Sequence, residues 1–151
     1  MTCLRRSFAA VGLAVLAVSC GGATGPAQID TRNDRCAHCR MPVSNVRFAA
    51  QVTAPGEEPA FFDDVGCLAD YLKRRSDLVR GTTAYVADHR TGEWIPAAAA
   101  LFTRNPSVDT PMNSHIIAHA SAESRDADPA ARGGDPVPAG ELFPSGVPTG
   151  R

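Results

Sequence analysis

The chain has 151 residues, with 15 Lys+Arg against 16 Asp+Glu and a formal net charge of −1. That length fits one domain and leaves no room for a large multidomain enzyme. The balanced charge excludes a protein that tracks nucleic-acid phosphates, which needs a concentrated basic face.

Residues 1–19 read as a secretory signal peptide: Arg5 and Arg6, a small-and-apolar run from Phe8 to Val18, then Ser19. The 11 residues of that run, at about 1.5 Å each, fall short of a hydrocarbon core about 30 Å thick. Leu16-Ala17-Val18-Ser19-Cys20 is similar to the cleavage box of bacterial lipoproteins. That likeness implies lipid on Cys20 and a mature chain anchored on the periplasmic side of a membrane. Gly21 stands where some bacteria place an acidic residue that retains lipoproteins at the inner membrane, so the outer membrane is favoured. Processing leaves 13 basic and 16 acidic residues, a balance of −3. Lipid on Cys20, and no basic patch, would hold the protein at the membrane. Residues 20–31, rich in Gly and Ala, read as a tether.

The folded domain is expected over 32–120. Arg47 to Thr53 alternates as a strand, with Phe48, Ala50 and Val52 on one face. Pro55 to Pro59 is a turn, and Ala60-Phe61-Phe62 completes a hairpin. Asp63-Asp64 caps a helix whose apolar stripe is Val65, Leu68, Tyr71, Leu72 and Val79, ending at Gly81. Thr83 to Asp88 is a strand, Arg90-Thr91-Gly92 a turn, and Glu93-Trp94-Ile95 the return. Pro96 suits a first helical position, so Ala97 to Thr103 is expected to be a short helix. Ser114 to Ala120 is a last element of undetermined type. This order predicts an α+β domain of two ββα-type units with antiparallel strands. Phe48, Phe61, Phe62, Tyr71, Tyr85 and Trp94 are assigned to the core. Residues 121–151, with five Pro, five Gly and one aromatic, are expected to be a disordered tail.

Of five Cys and three Met, the mature domain keeps Cys36, Cys39, Cys67, Met41 and Met112. Cys36-Ala37-His38-Cys39-Arg40-Met41 places two thiols at i and i+3, a spacing that aims both at one ion. Met41 adds a thioether, and thiolate with thioether is a soft set that selects Cu(I). Arg40 after the second Cys excludes c-type haem attachment. A structural disulfide, a thiol-disulfide redox pair of Cys36 and Cys39, and a structural zinc site with Cys67 and a His all remain open. Cys67, in the first helical turn, is either a dipole-favoured thiolate or a small buried apolar residue. Met112 follows Pro111 in a loop, where packing alone explains it poorly. Among His38, His115 and His119, His38 has the best claim as a donor, because it lies between the two Cys. Asp63-Asp64 reads as capping, since adjacent helical residues do not face each other. The nucleophile and phosphate-loop motifs of common enzymes are missing from the sequence.

Taken together, these residues resemble the NosL family of nitrous-oxide-reductase accessory lipoproteins. The matching pieces are the signal ending at Cys20, Cys36-x-x-Cys39-x-Met41, Phe62-Asp63-Asp64-x-x-Cys67, Tyr85-Val86-x-Asp88, Glu93-Trp94-Ile95 and Thr110-Pro111-Met112. The resemblance implies a Cu(I) chaperone, not an enzyme, that gives copper to membrane machinery or to a recipient cuproenzyme. A monomer with no nucleic-acid partner is expected. Cys39, Met41 and Met112 would be ligands, Cys36 and Cys67 auxiliary ones, and His38 an outside candidate. The family's usual Gly between Cys and Met is Arg40 here.

Overall fold

The computed structural model describes residues 25–75 and 77–150. The expected signal peptide and Cys20 lie outside the described residues. Among those described, no helix is long and apolar enough to cross a membrane.

The architecture is α+β, with two antiparallel sheets and few helices. The first sheet has strand order β2-β1-β3-β4, from β1 (Ala50–Thr53), β2 (Ala60–Phe62), β3 (Thr83–Ala87) and β4 (Trp94–Pro96). Gln51 sits opposite both Phe61 and Tyr85 in this sheet. The second sheet has order β6-β5-β7, from β5 (Leu101–Arg104), β6 (Ile116–His119) and β7 (Asp135–Val137). Helix α1 (Val65–Lys73) packs on β1 and β2 and also on β6, so it joins the two sheets. Phe62, Leu68 and Val86, each fully buried, form one core with Phe102 and Phe143.

Helix α1 starts where the sequence places it. Asp64 adopts an extended φ/ψ and its side chain accepts from the Gly66 N–H, satisfying an otherwise orphan donor. It ends early, at Lys73, where the Arg74 and Arg75 amides turn back to Tyr71 and Leu72 in a tightened last turn. Val79, expected in its stripe, is exposed. The expected strand from Arg47 is shorter too, because Val46–Phe48 form a 3₁₀ turn capped by Asn45.

Three further expectations are corrected. Ala97 to Thr103 is not a helix: Pro96 closes β4, Ala97 to Ala99 turn, and Leu101 onward is the central strand of the second sheet. Pairing on both sides holds Leu101–Arg104 as strand, and the alanines on which the helix expectation rested fall in and just after the preceding turn. The undetermined segment before residue 120 is β6, and the second unit's helix, α2 (Ala122–Ala127), follows it. Residues 121–150 are not a disordered tail. They carry α2, a 3₁₀ turn at Pro129–Ala131, β7 and α3 (Ala139–Leu142). Val137, Leu142 and Phe143 bury into the core, and the Phe143 ring meets Phe102 edge to face at 5.8 Å. The domain therefore runs past residue 120. It also begins before 32: Ala27 exchanges two hydrogen bonds with the Gln51 amide, at 2.7 and 3.1 Å, which fixes the end of the expected tether. Of the aromatics assigned to the core, Phe62 alone is fully buried; Phe48, Phe61, Tyr71, Tyr85 and Trp94 are half-buried.

Candidate metal centre

The Cys36–Met41 loop is laid along the edge of β2. The Ala37 amide donates to Phe61 O at 2.7 Å, Cys36 N to Met41 O at 2.8 Å and Arg40 N to Cys36 O at 2.9 Å. This closed turn requires φ of 70° at Arg40, a left-handed conformation that glycine adopts freely and side chains resist. The family's usual glycine at this position has its physical reason here.

The turn, the end of β2 and the first turn of α1 bring four donors together. The ligand atoms of Cys36, Cys39, Asp63 and Cys67 all lie within 4.8 Å of one another. Cys36, Asp63 and Cys67 are buried and Cys39 is half-buried. The Cys39 amide donates to Cys36 Sγ at 3.5 Å, and the Cys39 thiol to Asp63 Oδ1 at 3.6 Å.

So many ionisable groups at this range cannot all carry charge. A hydrogen bond from the Cys67 thiol, against the cost of burial, brings Cys36 down to about 4. Cys67 is driven up in turn by the Cys36 sulfur it donates to and by burial. Burial raises Cys39. Burial, with the Cys36 thiolate, raises Asp63 to about 6. The nest thus holds one preformed thiolate and several exchangeable protons, which an incoming cation displaces. Three thiols and a carboxylate suit a thiophilic ion.

The remaining sequence candidates are Met41, Met112 and His38, none of which belongs to the four-donor group. Met41 is 56% and Met112 44% exposed, unusual for large apolar side chains. Met112 belongs to the 110–115 loop, whose backbone sits on the start of α1: its amide donates to Asp64 Oδ2 at 3.1 Å. His38 does not enter the four-donor group; its ring nitrogens lie 3.2 and 3.5 Å from Arg74 Nη2. Asp63 is the member that sequence reasoning missed. Two consecutive Asp where one suffices as a cap is the signal that could have revealed it.

The NosL family model matches residues 26–146. The chain belongs to the NosL family. Membership points to a copper-related accessory role, and the match runs through the segment expected to be a disordered tail. No curated protein and no solved structure matches the chain.

A second group, His89, His119 and Asp128, also has its ligand atoms within 4.8 Å. Asp128 Oδ2 accepts from His89 Nδ1 at 2.6 Å and from His119 Nε2 at 3.0 Å. His119 is fully buried, and among the described residues its Nδ1 has no partner. Asp128 thereby ties His89, just after β3 of the first sheet, to His119 at the end of β6 in the second, a clamp between the two sheets of this NosL protein.

Proposed function

We propose that this protein is a Cu(I) chaperone that binds one copper ion as cargo in the nest of Cys36, Cys39 and Cys67. Met41 and Met112, both exposed, would add thioethers as further soft donors. The observation that carries the reading is the convergence of three thiols in a NosL chain, within 4.8 Å of one another. A preformed thiolate offers a first anchor, and the exposed thioethers offer sulfurs for ligand exchange with a partner. Transfer breaks no bond in a substrate, so we read the protein as not an enzyme. Its recipient would be membrane copper-delivery machinery, building the copper centres of nitrous oxide reductase or a related exported cuproenzyme. Lipid on Cys20 would hold it on the periplasmic side of a membrane.

The test is anaerobic competition of the full chain against a Cu(I) chelator. Cys36→Ser and Cys39→Ser are expected to lose high-affinity binding. Parental affinity in both variants would misplace the site.

A structural zinc site is the second reading, favoured by the Asp63 carboxylate beside three thiols. Protein made in the periplasm would then carry stoichiometric zinc and unfold with a chelator.

A further inference from the structure

Asp63 and Asp64 are neighbours in the chain with different surroundings. Asp63 faces the thiols. Asp64, fully buried, is not one of the four donors and uses both of its oxygens elsewhere. Oδ1 accepts the Gly66 N–H at 2.6 Å, which is all that a helix cap needs. Oδ2 accepts the Thr110 hydroxyl at 2.6 Å and the Met112 amide at 3.1 Å. These partners lie 46 and 48 residues downstream.

The loop so held is itself constrained. Thr110 Oγ1 accepts from the His115 amide at 3.1 Å. Asn113 and His115 have φ of 56° and 57°, a left-handed conformation that persists in non-glycine residues only when surrounding contacts impose it. The loop also lies flat on the helix start: a Cβ on Gly66 would come within 2.8 Å of Ser114 Cβ. One peptide unit, about 3.8 Å between Cα atoms, therefore separates a residue of the thiol nest from the residue that grips the Met112 backbone.

We infer that Asp64 is a positioning residue: through Thr110 and the Met112 amide it fixes where the Met112 thioether stands relative to the thiols. This rests on the reading of Met112 as a copper ligand. Gly66 serves the same end by leaving room for Ser114.

The experiment measures Cu(I) affinity by chelator competition, and sulfur coordination by copper X-ray absorption, in the full chain. Met112→Ala is expected to weaken binding roughly 10- to 100-fold and to remove one sulfur from the ion. Thr110→Val, which leaves the helix cap intact, is expected to do the same, and Thr110→Ser to restore both. Asp64→Asn is expected to match Thr110→Val; should it not fold, the Thr110 pair still decides. Thr110→Val combined with Met112→Ala should be no weaker than Met112→Ala alone. Parental affinity and sulfur count in Thr110→Val, with both lost in Met112→Ala, would overturn the positioning role and leave the ligand reading standing. Parental behaviour in Met112→Ala would overturn the ligand role of Met112, and the positioning role with it.

Discussion

The thiol of Cys39 donates to the carboxylate of Asp63 across 3.6 Å, so the carboxylate of the nest shares protons with its sulfurs. Burial and the Cys36 thiolate raise Asp63 to about 6 from 3.8. A carboxyl raised in the folded state stabilises that state while protonated. Its contribution is full below 3.8 and is lost as pH rises through about 6. Asp63→Asn removes this dependence. Metal-free parent is expected to lose roughly 2 to 3 kcal/mol relative to Asp63→Asn between pH 4 and pH 7, read by urea denaturation. A pH-independent difference would show that the carboxylate does not sense the nest.

Copper should stabilise the domain without being needed for folding, because Leu68, Val86, Phe62 and Phe102 bury against one another whatever occupies the nest. Free Cu(I) at about 100 times its Kd is expected to add about 2.7 kcal/mol. Chelation should return the parent to its metal-free melting temperature with circular dichroism intact. Collapse on chelation would favour the structural zinc reading.

The clamp between the sheets makes a separate prediction. Burial opposes ionisation of Asp128, but the N–H groups of His89 and His119 bring it down to about 2. Because this value is depressed, the stabilisation is present above 3.8 and is lost as pH falls through about 2, an effect of about 2 kcal/mol. Asp128→Ala also strands two ring nitrogens, His119 in a fully buried position. It is expected to destabilise by about 2–4 kcal/mol at pH 7 with copper affinity unchanged. A melting temperature equal to the parent's would remove the clamp from the account.

Deleting residues 121–151 tests the second sheet. It removes β7 from the edge of β5 and takes Val137, Leu142 and Phe143 out of the core. Each buried side chain contributes about 1.5–3 kcal/mol, against a total domain stability of about 5–15 kcal/mol. The truncated chain is expected to lose its cooperative thermal transition. A truncated protein that melts like the parent would show the tail to be dispensable.

Arg40→Gly should relieve the left-handed turn at φ 70°. The relief is partly offset by the greater freedom of glycine in the unfolded chain. A net gain of about 0.5–1 kcal/mol is expected in denaturant melts, with the thiols still reactive toward copper. A loss of stability would mean that the Arg40 side chain contributes more than its backbone costs.

The local features follow from residues close together in the chain. Asp64 caps α1 because its side chain answers a donor two residues away, and the β1–β2 hairpin follows from alternation and a Pro-Gly turn. The sulfur inventory and the NosL resemblance were legible for the same reason: they depend on residue identity and spacing. The remaining features depend on contacts between distant segments. Ala97 to Thr103 has a helical composition, yet Leu101–Arg104 is a strand because β6 and β7 pair with it from both sides. The segment after residue 120 is poor in apolar residues, and it folds because Phe143 finds Phe102 in a core the segment does not itself supply. Asp63 and Asp64 are indistinguishable as letters. Their different roles come from what packs against each, the thiols on one and the 110–115 loop on the other. Short-range hydrogen bonds can be read along the chain, but burial and long-range pairing depend on partners that only folding brings together.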